Sequence, residues 1–194
     1  MEASIWTGTV TRLLERTAAT EPVPAGVAIS AVTASLALAL LTKVLGIAVR
    51  KKKFAAERQR IDELLDAARA ESSRLISLAD EDILAFHKYL ESKHEDTRKA
   101  IEIPMESARA GVRGLRLCSE AAGLIRGLTA GDVGSAAALL GGAVRGMLIT
   151  VDFNLREMRS DEEFSAAMAG ERADLAAEAQ RYSDAVDAAL RPAA

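Results

Sequence analysis

A single cysteine, Cys118, excludes an internal disulfide and suits a reducing compartment, so a cytoplasmic location is expected. Aromatic residues make up only 4% of the 194 positions, prolines number four, and no convincing run of alternating β-branched residues is present. With little to build a sheet from, and with Ala, Leu, Glu and Arg abundant, the chain is expected to be all-α. Its net charge of −3 gives nucleic acid no reason to bind. The P-loop, GxGxxG, GxSxG, HExxH and CxxC patterns are absent, which removes the locally readable phosphate, dinucleotide, esterase, zinc and redox chemistries. No basic segment precedes an apolar run near Glu2, so no signal peptide is expected.

What is present is helical periodicity. Residues 1–194 are expected to form one domain, a six-helix up-and-down bundle. Ile5, Trp6, Val10, Leu13 and Leu14 predict a first amphipathic helix ending near Ala19. Pro22 and Pro24 stiffen the connection that follows. An uncharged run from Pro22 to Thr42, resumed from Val44 to Val49, could span a bilayer, with Arg50-Lys51-Lys52-Lys53 as its basic flank. Ser30, Thr33, Ser35, Thr42 and many alanines make it modest as a span. A second small-residue helix, Val133–Val151 with Gly141 and Gly142, suits the central pair of a bundle. The remaining helices are predicted over Lys51–Ser92, Asp96–Arg126 and Asp161–Leu190, with Pro104 kinking or starting the fourth and Asp132 capping the fifth. His87, Glu91 and His94 fall at i, i+4 and i+7, a spacing that could hold a metal, but the face is polar and crosses a helix end, so no metal site is expected.

The third helix carries the chemistry. Ile61, Leu65, Ala68, Ile76, Ala79, Ile83, Phe86 and Leu90 recur at helical spacing and mark its buried stripe. At roughly 100° per residue, Glu81 points to solvent while Asp80 and Asp82 sit on the two shoulders. Leu75, Leu78 and Tyr89 share the shoulder of Asp82. Poor solvation there favours the neutral acid, which raises its pKa towards the range useful for proton transfer. The plain structural reading is that both acids pair with Arg or Lys on a neighbouring helix.

These elements in order resemble the formiminotetrahydrofolate cyclodeaminase and methenyltetrahydrofolate cyclohydrolase family. The resemblance is carried by Pro22-Val23-Pro24-Ala25-Gly26, Arg50-Lys51-Lys52-Lys53-Phe54, Asp80-Glu81-Asp82-Ile83-Leu84-Ala85-Phe86, Gly131-Asp132-Val133-Gly134 and Asn154-Leu155. It implies a homodimeric helical bundle acting on a reduced folate, with Asp82 as acid–base residue and no cofactor beyond the folate substrate. It also implies that Lys52, Lys53, Pro24, Gly26, Asp132 and Asn154 bind the substrate, the lysines through the glutamate carboxylates.

This chain departs from the family pattern at informative places. Ala25-Gly26-Val27-Ala28 replaces Gly-Gly-Gly-Ser, and Val27 does not allow the close backbone approach of glycine. Ala48, Arg50, Gly131, Arg145 and Thr150 stand where Thr, Gly, Ser, Glu and Asn are usual, and the stretch between Phe86 and Pro104 is short. Three functions are therefore open: a folate cyclohydrolase or cyclodeaminase, an enzyme of a non-folate cyclic imine or amidine, and an inactive helical dimer or single-pass membrane interaction protein.

Overall fold

A computed structural model describes residues 4–92, 98–157 and 161–191. It contains six α-helices and, among the described residues, no strand: α1 Val10–Ala18, α2 Gly26–Ala48, α3 Arg58–Glu91, α4 Arg98–Leu124, α5 Ala130–Glu157 and α6 Glu162–Leu190. The all-α expectation holds. Helices α2 to α6 alternate in direction. Gly111 and Gly114 of α4 face Val144 and Leu140 of α5, and Gly141 of α5 faces Ser183 of α6.

The first predicted helix is divided in two. Ile5–Thr7 form a 3-10 turn whose Ile5 is buried, and α1 begins only at Val10. Gly8 separates the two, and the Thr9 hydroxyl caps α1 by accepting from the Arg12 amide at 3.1 Å. Val10 and Leu14 remain exposed and α1 has no fully buried residue; it meets the core through the partly buried Leu13, while the five longer helices supply most of the packing. The third helix also starts later than predicted, because Lys52–Phe54 form a separate 3-10 turn that buries Phe54.

Helix α2 is central. Ala28, Ala31, Ala34, Ala37, Leu38, Leu41, Val44 and Leu45 are buried on several sides, against α3, α4 and α5. α2 and α5 are each long and apolar enough to cross a membrane, and just over half of the most apolar window of α2 lies inside the bundle. Their small residues permit close packing. A Cβ on Gly111 would lie 2.5 Å from Val144 Cγ2, and one on Gly146 2.7 Å from Ser30 Oγ.

Two boundary expectations need correction. Asp132 does not cap α5: the helix begins at Ala130, and Asp132 sits inside its first turn, where a carboxylate still opposes the free N–H groups. Gly127 supplies the turn before it at φ 84°. Pro104 neither starts nor ends α4 but lies in its interior. Asp161 caps α6, accepting from the Phe164 amide at 2.7 Å. The predicted start of α4 at Asp96 lies outside the described residues, as does His94 of the metal-spaced triad.

Candidate active site

The two shoulder acids of α3 have different surroundings. Asp80 holds the N-terminal segment, accepting from the Ser4 hydroxyl at 2.6 Å and the Ile5 amide at 2.9 Å. Trp6 Nε1 donates to the Ile76 carbonyl at 3.0 Å on the same helix. Glu81 is half exposed and pairs with Arg74 at 3.1 Å. Asp82 meets no cation among the described residues. Its Oδ2 accepts from the Ala28 amide at 3.2 Å, in the first turn of α2.

That contact follows from the sequence of the loop. Ala25, at the cap position of α2, has no side chain able to satisfy the helix's free amides. Asp82 reaches across from α3 and does so. Burial pushes its carboxyl up to about 6 from the usual 3.8, against the opposing effect of the Ala28 hydrogen bond. A carboxyl group so held exchanges a proton near neutral pH.

Asp82 opens into a small chamber of about 80 Å³ lined by Val23, Ala25, Gly26, Val27, Ala85, Phe86, Ala100, Thr150 and Asn154. Five segments converge there: the Val23–Ala25 loop, with a cis bond before Pro24, the start of α2, the late part of α3, the start of α4 and the end of α5. Val27, which stands where the resemblance leads one to expect a glycine, is almost fully buried in its wall. Thr150, where the resemblance leads one to expect an asparagine, presents a hydroxyl; it donates to the Gly146 carbonyl at 3.3 Å, leaving its oxygen able to accept. Asn154 Nδ2 donates to the Ala100 carbonyl at 2.7 Å.

Of the residues expected at the site, Asp82, Gly26 and Asn154 line one chamber, and Pro24 is buried in its loop. Lys52, Lys53 and Asp132 do not join them within one chain. Asp132 lies 4.0 Å from Lys43, near the opposite end of α2, and the lysines follow that end. The 23 residues of α2 set the two ends about 33 Å apart at the helical rise of about 1.5 Å per residue. Thr150 and Phe86 are chamber residues that sequence reasoning treated as a loss and as core, respectively.

A wider groove of about 520 Å³ runs between α5 and α6, with Arg145, Arg172 and Asp187 on its walls. Arg172 is already committed to Asp152 at 2.6 Å, and the groove holds no carboxyl group as buried as that of Asp82. The chemistry therefore favours the smaller chamber. Burial raises the thiol of Cys118 to about 12, which leaves it an inert packing residue in the core. No cluster of three metal-ligating side chains occurs among the described residues.

An antiparallel helical bundle with a desolvated carboxyl at the N-terminus of its central helix defines the class. A sequence profile of the formiminotransferase-cyclodeaminase family matches residues 9–174, and the chain belongs to that family. The crystal structure of formiminotetrahydrofolate cyclodeaminase from Thermotoga maritima superposes with a TM-score of 0.90 at 22% identity, over 95% of this chain and 96% of that one. That likeness establishes a shared fold. Among curated proteins, none matches the chain.

Proposed function

We propose that the protein is a one-carbon folate enzyme in which Asp82 moves the proton. It would hydrolyse 5,10-methenyltetrahydrofolate or form it from 5-formiminotetrahydrofolate. The observation that carries this reading is the Asp82 carboxyl, buried against the Ala28 amide and opening into the chamber. In hydrolysis, water adds to the cationic methenyl carbon. The Asp82 carboxylate takes the proton that water releases and stabilises the cation as it is attacked. The C–N bond then breaks, its electron pair staying on the departing ring nitrogen, which takes up the proton held by Asp82, while the C–O–H group loses its proton to become the C=O of the formyl product. In cyclodeamination the N10 amine attacks the formimino carbon to close the ring, and the neutral acid gives its proton to the amino group that departs as ammonia when its C–N bond breaks. Gly26 keeps the chamber open, and Asn154 and Thr150 supply polar atoms for the ring edges. No cofactor other than the folate itself is required by either route.

An 80 Å³ chamber admits the reacting carbon and a small leaving group, while small-molecule sites usually measure roughly 300–1,000 Å³. The body of the substrate must extend beyond it. The neighbouring face of α2 and α5 exposes Leu36, Leu139, Ile149 and Phe153. We propose that this face pairs two copies about a two-fold axis, since burying exposed apolar side chains favours association. Antiparallel pairing of α2 with its copy would bring Lys52, Lys53 and Asp132 of the partner subunit towards Asp82, where the lysines could meet the glutamate carboxylates.

The test is to follow methenyltetrahydrofolate absorbance with purified protein. Acceleration over buffer that disappears in Asp82→Asn is expected. An unchanged rate, or full activity in the variant, rejects the proposal. Val27, which narrows the chamber, favours one alternative, a smaller non-folate cyclic imine or amidine. Thermal stabilisation by such compounds and not by folates would identify it.

A further inference from the structure

Pro104 stands in the interior of α4, where proline removes a main-chain donor and crowds the preceding turn. The donor it removes is the one that would have bonded the carbonyl four residues earlier, that of Ala100. Ala100 is buried and lines the Asp82 chamber. Its carbonyl is not left unsatisfied: the side-chain amide of Asn154, on α5, donates to it at 2.7 Å. A carbonyl oxygen only accepts, so the atom facing it must be the amide nitrogen of Asn154. The other end of that amide, Oδ1, is then the acceptor, with no hydrogen-bond partner among the described residues.

We propose that Pro104 is a positioning residue for the site: by withholding its N–H it reserves the Ala100 carbonyl for Asn154, and so fixes Asn154 as a hydrogen-bond acceptor towards a substrate N–H. This deepens, and rests on, the reading of the chamber as the folate site, because the N–H it would accept belongs to the bound ring system. It accounts for a residue that breaks the local rule of helix formation, a departure expected at functional positions rather than in a scaffold. It also assigns a specificity. A ligand presenting an acceptor at this point would face Oδ1 and be rejected, while a donor would be held, since an unpaired buried polar group is costly.

Pro104→Ala restores the main-chain donor, which takes up one lone pair of the Ala100 carbonyl along the helix axis and weakens its hold on Asn154. The expected result has three parts. The melting temperature rises or stays level, because alanine suits a helix interior better. KM for methenyltetrahydrofolate rises about tenfold, the scale of one lost hydrogen bond of about 1.4 kcal/mol. In the Asn154→Ala background, Pro104→Ala adds nothing further, since the two act as one unit. Additive effects, or a wild-type KM in Pro104→Ala, overturn the proposal. The side-chain amide of Asn154 gives a readout independent of turnover. Its NH2 protons are expected to exchange slowly in the wild type and rapidly in Pro104→Ala, and equal exchange in both also overturns the proposal. Slow exchange lost in Pro104→Ala, without turnover in the wild type, would leave the positioning intact and reject the folate reading.

Discussion

The carboxylate of Asp82 accepts from the main-chain amide of Ala28 at 3.2 Å, so a side chain of α3 caps the first turn of α2. Two opposing effects meet in that contact. The amide, and the positive end of the helix behind it, favour the ionised acid. Burial between α2 and α3 favours the neutral one. Burial wins, and the group is carried up to about 6. One weak donor holds the charged form without committing it, which suits a group that must gain and lose a proton in each cycle.

Direction of the pH profile separates the two reactions. Hydrolysis needs the Asp82 carboxylate, so kcat/KM should rise through an apparent pKa of about 6 and level off above it. Cyclodeamination that uses the neutral acid should instead decline above the same point. In either case Asp82→Asn should lose roughly 100- to 10,000-fold in rate. A profile flat from pH 5 to pH 8 with either substrate would remove Asp82 from the proton-transfer step.

The same group makes folding depend on pH. Its folded value of about 6 lies above the ordinary 3.8, so between these the folded protein binds the extra proton. The contribution of Asp82 to stability is therefore greatest below about pH 4, falls as pH rises towards 6, and stays lower above. Asp82→Asn removes the penalty while its Oδ1 can still accept from Ala28. The variant should gain about 1–3 kcal/mol over the wild type at pH 8, and the gain should vanish near pH 4. Denaturant melts at the two pH values measure it; an equal difference at both would mean that burial of the charge is not the cause.

Gly26 can be filled without disturbing the bundle. A Cβ there would lie 3.4 Å from Thr150 Oγ1, close but tolerable, and the residue is exposed at the start of α2. Gly26→Ala should keep most of the activity. Gly26→Leu should occupy the 80 Å³ chamber and abolish activity, with stability within about 1 kcal/mol of wild type. Activity surviving in Gly26→Leu would place catalysis elsewhere.

Much of this was legible in the chain, for identifiable reasons. The 3.6-residue period of α3 placed Asp82 on an apolar shoulder, and its shifted pKa follows from that placement. The period set Asp82 apart from Asp80 by its apolar shoulder but not by partner, because a helical wheel shows which way an acid points and not what stands opposite. The Ser4–Ile5 segment opposes one, and the start of α2 opposes the other. Periodicity also overstated the first helix: Val10 and Leu14 have the spacing of a buried stripe, but nothing covers them among the described residues. The separation of Lys52, Lys53 and Asp132 from Asp82 depends on helix direction and length, which motif order does not encode. Thr150 counted as a lost asparagine in the sequence; in the fold its hydroxyl remains at the chamber.

Packing between α4 and α5 gives the sharpest test of the fold that holds Asn154 in place. Gly111 faces Val144, and a Cβ on Gly111 would fall 2.5 Å from Val144 Cγ2, well inside contact distance. Valine has one preferred χ1 rotamer in a helix, so the methyl cannot simply turn away. Either the helices separate or the side chain leaves its rotamer, at a cost of about 1–3 kcal/mol. Alanine's better helix propensity offsets at most about 1 kcal/mol of that. Gly111→Ala should therefore lower the melting temperature, although Gly→Ala within a helix normally raises it. Gly123, whose added Cβ would meet nothing within 4 Å, is the control: Gly123→Ala should be neutral or stabilising. Removing the obstacle should reverse the sign. In the Val144→Ala background, already weakened by its lost methyls, Gly111→Ala should stabilise, a non-additivity expected only of residues in direct contact. Should Gly111→Ala destabilise both backgrounds equally, the clash with Val144 is not its cause.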